Sequence, residues 1–211
     1  MNKYIFSIFL FINSIFAISA QNNADAERLI NNFINSVKSE AVRSDFTLKI
    51  SEKNAVHSQQ FSGIVVLRAN QFYLEMDELM VWFDGKTQWA YLKESNEVNI
   101  TEPTEEELAE INPIAIISGL KSISAVQFGK VKNQMNHIIE LTPKNKNATF
   151  TKSEVHINKS SGHLAAINIK YKNGTNHELV LKNYQKNVPI KQKTFVFDKG
   201  KFKGAAINDL R

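Results

Sequence analysis

The chain has 211 residues, of which 43% are apolar, and it carries a net charge of +5 at neutral pH with no cysteine. This length suits one domain with its own core, and the lack of cysteine excludes disulfides, thiol catalysis, Cys-ligated zinc and a lipid anchor on cysteine. The lysines are spread through the second half of the chain, without the basic face and interleaved aromatic residues of a nucleic-acid-binding protein, so nucleic acid is not expected as a partner.

The N-terminus is typical of a secretory leader. A polar start with one lysine precedes the apolar run 4–18, and small residues follow as far as Ala20. This arrangement predicts a signal peptide at residues 1–20 that is cleaved after Ala20, with an uncleaved anchor as the alternative. Cleavage would leave residues 21–211 as one soluble domain outside the cytoplasm.

A helix and a strand are predicted next. Within residues 25–38, apolar residues recur at helical spacing and asparagines lie opposite them, so this segment predicts an amphipathic helix. Its apolar stripe needs a partner, which a curved sheet would provide. Residues 44–51 then alternate and predict a half-buried strand with Phe46, Leu48 and Ile50 on one face.

The stretch from Gly63 to Tyr91 predicts a meander of strands. Asp84-Gly85 lies between two apolar runs and predicts a tight hairpin turn, and a bend is expected at Ala69-Asn70. The apolar residues recur mostly at every second position, the period of strands with one buried face. They are Ile64, Val66, Phe72, Leu74, Met76, Val81, Phe83, Trp89 and Tyr91.

Two helical pieces follow a strand that contains Val98 and Ile100. Thr104 and Glu107 form a capping box, which predicts a charged helical turn over residues 105–110. Asn112-Pro113 then predicts a short apolar helix at 114–117, closed by Gly119. Because this piece has almost no polar side, it is either a plug in the core or a lid.

The remainder of the chain predicts short strands, and Asn173-Gly174 predicts a two-residue hairpin. With the earlier strands, this gives ten or eleven antiparallel strands and two or three helical pieces. The expected class is therefore mainly β (α+β), with one strongly curved antiparallel sheet wrapped around helices. The predicted strands are 135–141, 153–158, 164–171, 177–181 and 194–197.

Motifs for catalysis or metal binding are missing from the sequence. It contains no G-x-S-x-G elbow, no H-E-x-x-H and no P-loop, so no catalytic residue, no metal site and no cofactor is predicted. Strands could bring His156 and His177 together, but two lone histidines are more often surface residues than ligands.

Several motifs resemble the LolA family of periplasmic outer-membrane lipoprotein carriers. Where the family usually has a proline directly after an arginine, this chain has Ala69 after Arg68. Further similarity lies in NPIAIIS at 112–118, IIELTPK at 138–144 and the C-terminal residues 195–211, so the resemblance covers nearly the whole mature chain. The matching residues of the central stretch are Gly63, Arg68, Asn70, Phe72, Asp84, Gly85, Lys86, Trp89 and Tyr91.

This resemblance implies an incomplete β-barrel closed by short helices that act as a lid over an apolar, acyl-binding cavity. Arg68 would be the gate that hydrogen-bonds carbonyls of the lid when the cavity is empty. The lid residues would be Pro113, Ile114, Ile116 and Ile117. The strands expected to line the cavity carry Phe46, Leu48, Ile50, Phe72, Leu74, Met76 and Trp89.

The function implied is that of a monomeric periplasmic chaperone without catalysis or cofactor. It would take lipoproteins from an inner-membrane release complex and deliver them to an outer-membrane receptor or to the membrane itself. Three alternatives remain. The first is an interior filled by helix side chains, because side chains fill the interior of many small barrels. The second is a domain of this family that senses lipids or lipoproteins or binds lipids in general. The third and weakest is a lipid-processing enzyme.

The gate assignment generates the first prediction. If Arg68 holds the lid closed in the empty state, Arg68→Leu is expected to bind lipoprotein and to release it poorly. The variant no longer has the contact that favours the closed, empty state over the open, loaded one. The measurement is transfer of a purified lipoprotein from the variant to its receptor. Normal release by the variant would remove Arg68 from the gate.

Overall fold

A computed structural model describes residues 23–211 of the chain, apart from the side chains of residues 109–111. The predicted leader at residues 1–20 lies outside the described residues. No helix within the described range is long and apolar enough to cross a membrane.

The described residues form three α-helices, a short 3-10 turn and twelve strands. The helices are α1 at 23–39, α2 at Glu105–Ile111 and α3 at Pro113–Ser122. The strands are β1 Val42–Ser51, β2 Gln59–Arg68, β3 Gln71–Met76, β4 Leu79–Phe83, β5 Gln88–Leu92, β6 Glu97–Thr101, β7 Ser124–Phe128, β8 Asn136–Pro143, β9 Phe150–Asn158, β10 Leu164–Tyr171, β11 Asn176–Lys186 and β12 Ala206–Asp209.

All twelve of these strands belong to one sheet, in the order β12-β6-β5-β4-β3-β2-β1-β11-β10-β9-β8-β7. β1 joins the two halves, because it pairs with β2 on one side and with β11 on the other. β12 and β7 are the two edges of the sheet and are not hydrogen-bonded to each other. The predicted fold class, a mainly β incomplete barrel, is confirmed.

The core lies on the face of the sheet that packs on α1, here called the inner face. The predicted amphipathic helix is present, and Ile30, Phe33 and Val37 are completely or almost completely buried. They form one apolar cluster with strand residues from both halves of the sheet, such as Phe72 and Ile139. Burying each such side chain contributes about 1.5–3 kcal/mol, which is why the sheet curves around the helix.

The C-terminal segment crosses the opposite, outer face. After β11, residues 187–205 pass over the sheet, and the ring centroids of Phe197 and Phe202 lie 5.4 and 5.5 Å from that of Trp82. Tyr91 also contacts Phe202, at 4.7 Å between centroids. The chain then ends in β12, which pairs with β6. We call residues 187–205 the strap.

Three segments differ from the strands predicted from the sequence. Residues 194–197, predicted as a strand, form a turn and an irregular segment: Phe195 is buried and the ring of Phe197 packs on Trp82, instead of pairing with a neighbouring strand. β12 was not predicted, since its residues are exposed and show no apolar alternation. It pairs in parallel with β6, so the sheet is not entirely antiparallel. β7, also missed, is a short edge strand.

The apolar helix is longer than predicted. It was expected to end at Gly119, but α3 continues to Ser122. A helical glycine costs only about 1 kcal/mol relative to alanine, and Leu120 beyond it packs against the core. Burial therefore outweighs the weak stop that glycine provides.

Both predicted hairpins are present, and in each of them four residues separate the two strands. Residues 84–87 connect β4 to β5, with the amide of Asp84 donating to the carbonyl of Thr87 at 3.2 Å. Residues 172–175 connect β10 to β11. In each connection only the glycine has a positive φ, at 104° for Gly85 and 88° for Gly174.

Two glycines provide a matched test of packing. A Cβ on Gly63 would lie 2.0 Å from the carbonyl oxygen of Glu75 and 3.0 Å from the ring of Phe46. We expect Gly63→Ala to lower the free energy of unfolding by at least about 2 kcal/mol, because backbone must move to admit the methyl group. Gly119→Ala, with nothing within 4 Å, should raise it by about 0.5–1 kcal/mol. Urea denaturation measures both, and equal effects would contradict the assigned crowding at Gly63.

Candidate functional site

Six of the seven residues predicted to line an acyl-binding cavity lie on the inner face of the sheet. Phe46, Phe72 and Leu74 are buried members of the central cluster, and Leu48 and Met76 pack against it while half-buried. Ile50 follows Leu48 on the same face, at the far end of β1. The structure therefore places these side chains in the core; contact with a ligand stays a prediction.

Trp89, the seventh, does not lie on the inner face. The register pairs it with Trp82, which packs on Phe197 and Phe202 of the strap. Because directly opposed residues share a face of the sheet, Trp89 lies on the outer face and Ala90 occupies the adjacent inner position. Its prediction as a cavity residue is wrong, since alternation defines two faces without saying which one meets the core.

The interior is occupied by helix side chains in this conformation. Phe33 and Val37 of α1 and Ile114 and Ile117 of α3 belong to the same apolar cluster as the inner face. These side chains take up the space that an acyl chain would need. A ligand that enters the barrel must therefore displace α1 or α3 from part of its packing surface, which exchanges one apolar contact for another.

An open cleft of about 840 Å³ lies at one end of the sheet, between the helices and two turns. α2 and α3 form one wall, and the β2–β3 and β4–β5 turns form the other. Its volume suits part of an acyl chain or a small amphipathic molecule. The lining residues are Lys38, Ala69, Asn70, Phe83, Gly85, Lys86, Glu102, Pro103, Glu105, Leu108, Asn112, Ile114 and Ala115.

The cleft differs from the predicted cavity in its lining. Among the predicted site residues of the strands, none lines it, and of the predicted lid residues only Ile114 does. Its apolar floor comes from Phe83, Leu108 and Ile114, while charged side chains stand at the rim. Sequence reasoning missed Phe83 and Leu108 as site residues, although the alternation from Leu79 to Phe83 placed Phe83 in a strand before the turn.

The two turns at the cleft bring together residues that carry the family resemblance. Asp84 Oδ1 accepts from the amides of Lys86 and Thr87 at 2.9 and 2.8 Å, which fixes the β4–β5 turn. Asn70 Nδ2 of the β2–β3 turn donates to the carbonyl of Gly85 at 3.4 Å. A Cβ on Gly85 would lie 2.7 Å from that Asn70 nitrogen. The motif residues thus tie the two turns into one wall.

Arg68 lies beside this wall but does not line the cleft. It is the last residue of β2, it is exposed, and its side chain makes no hydrogen bond or ion pair within the described part of the chain. The contact with lid carbonyls implied by the resemblance is therefore not seen there. The next residue, Ala69, has φ of 53°, a conformation closed to the proline that the family usually has at this position.

The predicted lid residues lie in the first turns of α3. Pro113, Ile114 and Ile117 are buried and Ile116 is half-buried, so the inner side of this helix is part of the core in this structure. Asn112 caps it, with Oδ1 accepting from the amides of Ile114 and Ala115 at 2.9 and 3.4 Å. A plug that also lines an open cleft can become a lid if the helix moves.

α2 precedes this plug and carries the acidic rim. Thr104 Oγ1 accepts from the amide of Glu107 at 3.3 Å, and Glu107 Oε2 accepts from the amide of Thr104 at 2.7 Å, so the predicted capping box is present. Lys86 Nζ lies 3.2 Å from Glu102 Oε1 across the cleft mouth. This exposed pair contributes between 0 and about 1 kcal/mol, too little to hold the mouth shut.

The two histidines that strand pairing could have joined lie on opposite faces. His156 is opposed to Ala166, whereas His177 is opposed to Ile169 on the inner face and contacts the ring of Tyr171 at 4.7 Å. Burial lowers the pKa of His177. The structure therefore does not bring them together.

The outer face carries a second apolar layer that sequence reasoning did not assign. Trp82 and Val98 of the sheet are buried there, and Phe195 of the strap is buried as well. Tyr73 donates to Glu75 Oε2 at 2.7 Å, and burial together with this hydrogen bond raises the pKa of the tyrosine hydroxyl. The phenylalanines spaced between lysines in the C-terminal residues are the sequence signal that could have indicated this layer.

Residues 23–211 form an incomplete β-barrel whose interior is filled by helix side chains and whose end cleft is bordered by α2 and α3. Residues 16–175 match the family described as outer membrane lipoprotein carrier protein LolA. The chain belongs to this family, as the sequence resemblance indicated. No curated protein matches the chain significantly.

Solved structures share the fold at low sequence identity. An uncharacterized conserved protein from Thermus thermophilus aligns with a TM-score of 0.59 and 11% identity, over 88% of this chain and 99% of its own. MucB aligns with a TM-score of 0.50 and 11% identity, over 83% of this chain and 63% of its own. A LolA superfamily protein from Nitrosomonas europaea aligns with a TM-score of 0.46 and 10% identity, over 82% and 98%.

The caps of α2 and α3 generate a further prediction. Asn112→Ala leaves buried amides of α3 without an acceptor and should lower the free energy of unfolding by about 1–2 kcal/mol. Thr104→Ala is the matched change at the exposed cap of α2, where water can replace the hydroxyl, and should cost less, about 0.5 kcal/mol. Urea denaturation compares them, and an equal or larger loss for Thr104→Ala would contradict the assigned burial of the α3 cap.

Proposed function

We propose that this protein is a periplasmic carrier that binds the acyl chains of lipoproteins and takes them from the inner to the outer membrane. The observation that carries the proposal is the apolar floor of the end cleft, formed by Phe83 of β4, Leu108 of α2 and Ile114 of α3. Membership of the LolA family supports it. Each methylene that leaves water adds about 0.8 kcal/mol, so a cleft of this kind is sufficient to recruit a chain end.

Loading then proceeds from the cleft into the barrel. The cleft holds the first part of a chain next to α3, and further burial requires that Ile114 and Ile117 leave the inner face. This displacement exposes about as much apolar surface as the ligand covers, so loading and release stay close to balance. Such a balance suits a carrier, which must let its cargo go.

The energy for loading comes from outside the chain in this proposal. The partners are lipoproteins, an inner-membrane release complex and an outer-membrane receptor or the membrane, and the protein works as a monomer without catalysis or cofactor. Neither the inner face nor the cleft requires a chemical step from the protein. Its part is to shield apolar chains from water.

A second candidate function is that of a sensor. The fold similarity to MucB, a protein also solved as a complex with MucA(peri), favours a domain that reports on lipids or lipoproteins to a partner protein. The chain spans 63% of the length of MucB. In this alternative the cleft binds the same ligands, but the bound form recruits a partner instead of delivering cargo.

Native mass spectrometry of the protein purified gently from the periplasm, with lipid extraction, tests the proposal. A species at the summed mass of the protein and a lipoprotein is expected and would identify the cargo. Free phospholipid as the sole ligand would favour the sensor or a general lipid binder. A persistently empty protein that takes up no apolar dye would overturn both.

A substitution in the cleft gives another prediction. Ala115 is half-buried in the wall of the cleft, so Ala115→Trp should fill part of the floor. If this displaces two methylene groups of a bound chain, affinity falls roughly tenfold. Fluorescent fatty-acid titration measures it. Ala125→Trp, on the exposed side of β7, is the control and should bind normally; equal affinity of the two variants would place the acyl site elsewhere.

A further inference from the structure

The β7–β8 loop, residues 129–135, exposes two large apolar side chains. Val131 is 72% exposed and Met135 is 70% exposed, although neither lies in the cleft. Lys130 and Lys132 flank Val131 and are exposed as well. Exposing large apolar side chains to water is unfavourable. The exposure of Val131 and Met135 close to lysines therefore points to a binding surface on this loop.

Two neighbouring segments add positive charge to this loop. The amide of Lys159 donates to the carbonyl of Met135 at 2.9 Å, and its Nζ donates to the carbonyl of Asn133 at 2.6 Å. Lys186 Nζ donates to the carbonyl of Ser161 at 3.3 Å. Residues 129–135, residues 159–163 and Lys186 therefore form one surface, here called the basic tip. They contain four lysines and no acidic residue.

The loops at the other end of the sheet combine their lysines with an acidic residue or with less exposed apolar surface. In residues 52–58, Val56 is 90% exposed but its loop begins with Glu52, which offsets the charge of Lys53. In residues 144–149, Lys144 and Lys146 are exposed, and the carbonyl of Ile123, which is 49% exposed, accepts from the amide of Lys144 at 2.9 Å. The basic tip differs because it exposes two large apolar side chains, Val131 and Met135, and exposes both more fully than Ile123.

The basic tip lies at the same end of the sheet as the cleft. Val42 at the start of β1 is opposed to Leu67, just before the β2–β3 turn that lines the cleft. Val42 is also opposed to Lys186 of the basic tip. A flat surface that contacts this end of the sheet would therefore meet the side of the molecule where the cleft opens.

We propose that the basic tip docks on the surface of an anionic phospholipid bilayer. The ammonium groups of Lys130, Lys132, Lys159 and Lys186 bind headgroup phosphates, and Val131 and Met135 enter the boundary between headgroups and acyl chains. A protein partner fits less well, because lysine is depleted in the buried centre of protein interfaces. Docking needs no cargo, so it stands or falls independently of the carrier function.

Vesicle flotation of the cargo-free protein tests the proposal. Binding is expected to vesicles of phosphatidylcholine with one third phosphatidylglycerol and not to pure phosphatidylcholine, and it should weaken steeply with added salt because the Debye length shortens. Equal binding to both vesicle types, or none to either, would overturn the proposal.

Charge reversal locates the contact. The double variant Lys130→Glu with Lys132→Glu should weaken vesicle binding at least about tenfold, because it replaces two lysines that attract the anionic membrane by two glutamates that repel it. The control, Lys144→Glu with Lys146→Glu, makes the same change in net charge at the other end of β8 and should bind nearly as well as the parent protein. An equal loss in both would show a diffuse attraction and overturn the assignment to the tip.

A labelled side chain tests insertion. The chain has no cysteine, so Met135→Cys and Val56→Cys each accept one environment-sensitive dye. Anionic vesicles should shift the emission of the dye at 135 to shorter wavelength and leave the dye at 56 unchanged. A shift at 56 and none at 135 would overturn the proposal. If the emission of the dye at position 135 shifts with a purified acidic protein and not with vesicles, the basic tip is a protein-binding surface and the membrane assignment is wrong.

Discussion

The burial of the apolar stripe of α1 inside the curved sheet is the contact on which the rest of the structure depends. Phe33 and Val37 meet strand residues of both halves of the sheet in one cluster, so the helix gives the two halves a common core that hydrogen bonds along β1 alone would not provide. The amide of Ala69 donates to the carbonyl of Val37 at 3.0 Å, which anchors the end of α1 to the turn that lines the cleft. Core and cleft are thus parts of one arrangement.

This arrangement limits how a ligand can be held. Among the described residues, helix side chains fill the interior that the sheet encloses, and an open cleft lies at the end of the sheet beside α2 and α3. α3 has a buried side in the cluster and an end in the cleft. In the proposed loading step, displacement of α3 would couple entry at the cleft to the exchange of apolar contacts within the barrel.

The outer face serves stability in a different way. The strap brings Phe197 and Phe202 onto Trp82 and Tyr91, so the outer side of the first half of the sheet also becomes a small apolar layer. β12 then adds a strand to the edge formed by β6. With one face of these strands covered by helices and the other by the strap, this half of the sheet is held on both sides while its end turns border the cleft.

The sequence by itself determined the local structure, whereas only the tertiary structure decided which face of each strand is buried, where the cleft lies and what covers the outer face. Alternation, the Thr104 capping box and Asn112-Pro113 marked most strands and the starts of α2 and α3, because a few adjacent residues dictate such short-range geometry. Trp89 lies in a predicted strand, but the side that meets α1 is set by register and curvature across the whole sheet. The strap shows the same limit, because Phe197 lies in an irregular segment and its ring partner, Trp82, is more than a hundred residues away in the chain.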